Sequence, residues 1–244
     1  MGVVSFFNEK FTDFRMLVFR PQMGARRLVR KASLGDGVKL MVLFAFLAGL
    51  INVLLLAVGQ LVGSLVAWLT GKTLEVVVEA AVASIIAIMA YVILFLPVIL
   101  AFIIISIVWY GMIWGMAKLL GGKSEYGMHF GMMCYPLTVF MIFAAIILGV
   151  LNFLAAVFMP VLPILAVIIS WGEILILLLL ALYTVWLKIL VTAEAHQIDM
   201  LKAGVAVVLP SGAIIIAALV VLVIFSAIFA TLFGLNAFSS IPLM

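Results

Sequence analysis

Few residues in this 244-residue chain could do chemistry: nine carboxylates, two histidines and one cysteine. The densest polar cluster outside the N-terminal region is Glu194-Ala-His196 with Asp199; His129 is the other histidine. A metal needs three or four such ligands converging, and His129, His196 and one of Glu194 or Asp199 would be the set. The plainer reading is two histidines solvated in turns, with Asp199 capping the helix that follows. No metal and no cofactor is expected. Glu173 follows Trp171-Gly172 and precedes the unbroken run Ile174–Leu182. An ionisable group inside a span is costly and often functional. If its helix starts at Pro163, Glu173 lies about 15 Å along it. If the helix starts near Trp171, the tryptophan marks an interface and the carboxylate is wet. Asn52 and Gln60 are the other polar candidates within apolar runs, suited to hydrogen bonds between helices.

Ala117-x4-Gly122-Lys123-Ser124 is one residue from a phosphate-binding loop, which needs glycine first, a preceding strand and a following helix. An apolar helix precedes it here. The expectation is a tight turn, with Gly121 and Gly122 supplying positive φ at a helix C-terminus and Lys118 and Lys123 facing phospholipid headgroups. The chain has no Gly-x-Ser-x-Gly, no His-Glu-x-x-His and no carboxylate pair inside one span, so no enzyme is expected. A single cysteine, Cys134, permits no disulfide within the chain and reads as a buried thiol.

The elements that hold these residues follow from composition. Apolar residues make up 69% of the chain and charged residues 9%, against roughly 45–50% and about 25% in a soluble domain. That much apolar surface requires lipid as solvent. The fold expected is all-α, a polytopic membrane helix bundle. Runs of about 20 apolar residues can span, which gives five spans at about 38–69, 82–120, 128–150, 163–191 and 204–233. They form one domain over 37–235, behind an N-terminal segment, 1–36. Pro97 and Pro136 fall inside spans two and three. The stretch 151–170, with Pro160 and Pro163, is a hairpin, a re-entrant segment or part of span four. Five spans place twelve of the thirteen Lys/Arg on one side and Lys72 alone on the other. Cations in short loops concentrate on the cytoplasmic side, so the N-terminus is expected inside and the C-terminus outside.

Before the first span, Phe7, Phe11, Phe14 and Val18 recur at helical spacing, which suits an amphipathic helix lying in the membrane interface. Pro21 can open a second helix carrying Arg26, Arg27, Arg30 and Lys31. These either attract anionic lipid or serve only as a topology signal. Ser33 and Asp36 are placed to cap span one, while Glu75 and Glu79 read as a solvated face. Gly59-x3-Gly63, Gly111-x3-Gly115 and Gly127-x3-Gly131 allow close helix approach, within the monomer or at a homodimer face.

Three stretches resemble the Yip1 family, and its archaeal and bacterial members most. They are Pro21 through Arg27-Leu28 to Ser33-Leu34-Gly35; Ala117 to Ser124 followed by Gly131-x4-Pro136; and Val185-Trp186-Leu187 through Ala193, His196 and Lys202-Ala203. The resemblance runs over about Phe14 to Phe225. Met132 replaces the tyrosine that often follows the signature glycine, and the acidic N-terminal element of eukaryotic members is missing. The resemblance implies a five-span protein of the prokaryotic cell membrane with a cytoplasmic N-terminus. It also implies a membrane-organising or trafficking-type scaffold, whose partners are anionic headgroups, other membrane proteins or further copies of itself, and not nucleic acid. The alternative is a small-solute or ion permease using Glu173, Asn52 and Gln60.

Overall fold

The computed structural model describes residues 3–71, 73–213, 216, 220 and 224, and among them it contains helices and short turns only. Two short helices come first, α1 (Val3–Phe19) and α2 (Pro21–Val29). Four long ones follow: α3 (Leu34–Leu69), α4 (Leu74–Leu119), α5 (Tyr126–Phe158) and α6 (Pro163–His196). All four are long and apolar enough to cross a membrane. A last helix, α7, begins at Met200 and is described through Ala213. The fold is an all-α membrane helix bundle, as the composition required. The fifth expected span, 204–233, lies from 214 onward outside the described residues, apart from 216, 220 and 224.

Local chemistry sets the boundaries. Ser33 caps α3, its Oγ accepting from the Asp36 backbone N–H at 3.2 Å. Asp199 caps α7 in the same way, accepting from the Lys202 N–H at 2.9 Å. Pro163 opens α6, where its missing N–H costs no hydrogen bond. The helices overrun the expected spans. α5 passes 150 and stops at Phe158, so 151–170 is the end of α5, a turn at 159–162 and the start of α6. Hydropathy marks where lipid is tolerated; proline and turn geometry mark where the helix stops. Because α6 begins at Pro163, Glu173 stands about 15 Å along it. At about 1.5 Å per residue α3 is roughly 54 Å long and α4 roughly 69 Å, so both tilt in or project from a core of about 30 Å.

α3 and α5 run parallel at the centre. Gly37 faces Gly131, Gly59 faces Phe153 and Gly63 faces Ala156. A methyl group on Gly59 would come within 2.9 Å of the Phe153 Cα, and one on Gly63 would strike the Ala156 carbonyl. α4 returns antiparallel along α3, where the Tyr91 hydroxyl donates to the Phe46 carbonyl at 2.8 Å and the Ser84 hydroxyl to Gln60 Oε1 at 3.3 Å. α6 packs on α5. The outer faces of α4 and α6, with Val92, Ile93, Leu178 and Leu182, are exposed and apolar.

The N-terminal helices form a hairpin docked on this bundle. The two backbones approach so closely at Gly24 that a methyl there would lie 2.6 Å from the Leu17 Cα. The expected lipid-facing stripe is not what α1 shows. Its buried face is Lys10, Asp13, Phe14 and Leu17, while Phe7 has no described side chain. Phe14 stacks on Phe44 of α3 and Phe143 of α5, with ring centroids 5.8 and 6.5 Å away. The Tyr183 hydroxyl of α6 donates to the Val18 carbonyl at 2.9 Å. Protein, rather than lipid, covers that side of the helix.

Candidate functional site: the charged end of the bundle

The three stretches that carry the family resemblance meet at one end. α4 closes with paired backbone bonds: Gly122 N–H donates to the Ala117 carbonyl at 2.9 Å and Gly121 N–H to the Lys118 carbonyl at 3.0 Å. Gly121 alone, and not Gly122 as expected, has positive φ, at +96°, the left-handed conformation this closure requires and glycine adopts freely. Gly122 lies flat on the His196 ring, which a methyl group there would strike, and the Lys123 N–H donates to the His196 carbonyl at 3.2 Å. The loop is a helix C-terminus locked onto the end of α6. A phosphate loop would instead direct backbone N–H groups into open space.

Beneath the loop sit the two histidines. His129 lies in the first turn of α5 and His196 ends α6; both are fully buried. His196 Nε2 and His129 Nδ1 are 3.2 Å apart, and the rings meet edge to face. Neutral imidazole has one N–H and one lone pair, so the shared bond uses the donor of one ring and the acceptor of the other. It leaves His129 Nε2 and His196 Nδ1, one a donor and one an acceptor, buried without partners. Neither expectation for this cluster, solvated turns or a ligand set with Glu194 or Asp199, describes the result. Among the described residues no three His, Cys, Asp or Glu side chains converge as a metal set.

Carboxylates take up half of the N-terminal cations. Arg27 Nε lies 2.7 Å from Asp13 Oδ1, whose side chain has no exposure at all. Lys10 pairs with Asp36 at 3.3 Å, Lys31 with Glu9 at 2.8 Å and Arg26 with Glu194 at 3.2 Å. The Lys31 ammonium holds the Glu9 carboxyl below the usual carboxylate range. Arg26 ties α2 to the end of α6, and Arg30 is exposed. Lys118 and Lys123 are exposed too, and Lys118 sits 5.8 Å from the Trp114 ring centre.

The intramembrane candidates are scattered. Asn52 lines an apolar groove of about 670 Å³ between α3, α4 and α5. Gln60 lines a smaller cavity of about 390 Å³ with Asn152 and Ser170, while Glu173, half-buried, does not line it. Of the glycines, Gly59, Gly63 and Gly131 are spent inside the monomer. A methyl group on Gly127 would lie 3.8 Å from the Leu34 Cβ and one on Gly111 3.8 Å from the Tyr126 ring, while Gly115 has open space beside it. Pro136 is buried inside α5, which continues through it to Phe158.

The sequence pattern places Lys188 near the end of the fourth span, 163–191, and gives it no partner. It lies within α6, its ammonium 5.7 Å from the Trp109 ring centre and 5.8 Å from that of Tyr110. The chain shows no match to any family model, any curated protein or any solved structure with which it was compared.

Proposed function

We propose that this protein is a non-enzymatic, Yip1-like membrane-organising scaffold. Its charged end faces the cytoplasm of a prokaryotic cell and recruits anionic lipid or protein partners. The convergence at that end carries the reading: the double-glycine loop, the buried histidine pair and the α1–α2 hairpin build one rigid platform. Exposed Arg30, Lys118 and Lys123 stand around it. Twelve of thirteen cations on one side of a five-span chain support the orientation. Self-association has a face to use, since Gly111 and Gly115 are the glycine pair with the fewest neighbours. Capture from native membranes tests the reading. Charge reversal at Arg30, Lys118 and Lys123 should deplete the partners recovered with the intact chain. Recovery of the same set as with an unrelated membrane protein would sink it. Orientation is checked by labelling Arg30→Cys and Gly71→Cys from each side, with low background because Cys134 is buried.

The alternative, a small-solute permease, draws on the cavity lined by Gln60, Asn152 and Ser170. Solute flux in proteoliposomes that Gln60→Leu abolishes would favour it; no flux of candidate solutes counts against it.

A further inference from the structure

Four of the eight N-terminal cations have carboxylate partners. Arg15 and Arg20 have none among the described residues, and both are exposed. Arg15 on the outward side of α1 and Arg20 just past its end stand with Phe11, Thr12, Met16 and Phe19 around a shallow hollow of about 610 Å³. Phe11, Arg15 and Phe19 follow one another at four-residue intervals, which puts them on one helical face. The two phenylalanines are 50% and 75% exposed, the second among the highest values for large apolar side chains in the protein.

What this face meets is set by what holds its back. Phe14 stacks ten residues into α3 and seventeen into α5, and Val18 is bonded to Tyr183, thirteen residues before the end of α6. These are levels within the apolar helices. Tyr183 packs on Trp186, which is 40% exposed, at 5.7 Å, an aromatic pair of the type that lines the headgroup boundary. A face at that level looks sideways into the bilayer boundary. Two arginines there, with aromatic side chains beside them and no protein carboxylate, require an anion, and a lipid phosphate is the anion at that depth. Arginine's planar fork suits phosphate oxygens, and its stem lies along apolar surface.

We infer that Arg15 and Arg20 form a binding site for the phosphate of an anionic phospholipid, with Phe11 and Phe19 against its acyl region. The inference deepens the scaffold reading by naming its lipid contact, and it rests on that reading only for the membrane-facing role of this end. Of the cations expected to meet lipid, Arg26, Arg27 and Lys31 are occupied by carboxylates; Arg15 and Arg20 add a contact at the level of α1.

The test uses the full chain in phosphatidylcholine bilayers doped with spin-labelled phosphatidylglycerol or spin-labelled phosphatidylcholine, reading the motionally restricted fraction of each. The native protein should restrict phosphatidylglycerol preferentially. Arg15→Gln with Arg20→Gln should reduce that preference by up to roughly thirtyfold, two cations each contributing about 1 kcal/mol near a headgroup layer. Lys39→Gln with Lys202→Gln, the same charge change elsewhere at this end, should leave most of it. Equal losses in the two variants would mean a diffuse field and overturn the site, as would an unchanged preference in the first. Displacement of the labelled lipid by millimolar inorganic phosphate, or by an acidic peptide, would overturn it in favour of a free anion or a protein partner. An Arg15→Lys, Arg20→Lys variant that keeps the preference guards against a folding artefact. No partner protein is present in this measurement, so failed partner capture would sink the scaffold reading and leave the lipid site standing.

Discussion

The two ends of the bundle are held by different means. At the charged end, four ion pairs, an imidazole pair and a locked glycine turn tie together segments from distant parts of the sequence. At the opposite end, α3, α4, α5 and α6 turn through Leu69, Leu74, Met159 and Leu162, all exposed, and the described polar links between helices reduce to Ser84 on Gln60 and the Ala57 carbonyl. Apolar contact gives little net gain between helices already in lipid. The far end therefore depends on backbone fit at Gly59 and Gly63, and the charged end on electrostatics. Polar matching fixes register at one end; small residues fix distance at the other.

Removing Arg27 should do the most damage. The Asp13 carboxylate has no exposure, so Arg27→Met leaves a buried charge uncompensated, at a cost of about 3 kcal/mol or more. Asp13→Asn should cost less, because the Arg27 side chain is 37% exposed and can be hydrated. Joining Asp13→Leu to Arg27→Met should recover most of the loss. Denaturant unfolding in micelles separates the three; equal costs for the two single variants would break the argument.

Gly63→Leu tests the other end. Its side chain would meet the Ala156 backbone, which cannot give way as a side chain can, and overpacking of this kind costs about 1–3 kcal/mol. Gly115→Leu, with open space beside it, should leave monomer stability unchanged and weaken any self-association seen by cross-linking. If both variants destabilise the monomer alike, the far end is not held by fit.

Much of this was legible from residue pattern. Composition and run length required a membrane bundle, and the caps at Ser33 and Asp199 and the turn at Gly121 followed from local backbone needs. Those features depend on near neighbours. What sequence hid depends on remote ones. His129 and His196 are 67 positions apart, and only packing α5 against α6 shows that they bond to each other rather than meet water. Asp13 left a trace: Lys10, Asp13, Phe14 and Leu17 sit at i, i+3, i+4 and i+7, a second stripe on the helix that gave Phe7, Phe11, Phe14 and Val18. Charges within an apolar stripe signal partners across an interface, and the more hydrophobic stripe hid that one. Hydropathy ends span four at about 191, although the helix continues to His196.

Smaller still should be Tyr183→Phe, which removes the hydroxyl bonded to Val18 and nothing else. A net loss of about 0.5–1.5 kcal/mol is expected, together with faster hydrogen exchange in α1 while α3 and α5 stay protected. Faster exchange throughout the bundle would mean that the N-terminal hairpin is part of the core rather than docked on it.

The smallest effect belongs to Lys31 and Glu9, an ion pair at 2.8 Å with side chains 41% and 26% exposed. Exposed pairs contribute between nothing and about 1 kcal/mol, so Lys31→Gln should hardly move unfolding at neutral pH. Its signature is in acid. Glu9 titrates below its ordinary 4.5 in the folded protein; a depressed folded value gives stability that is present above the unfolded value and lost as pH falls through the folded one. The native protein should therefore lose slightly more stability between neutral pH and the acid side of that range than Lys31→Gln does, and the two curves should converge at the acid end. A large gap at neutral pH would break the contrast drawn with Arg27, because it would mean that exposed charge, and not only buried charge, fixes the hairpin on the bundle.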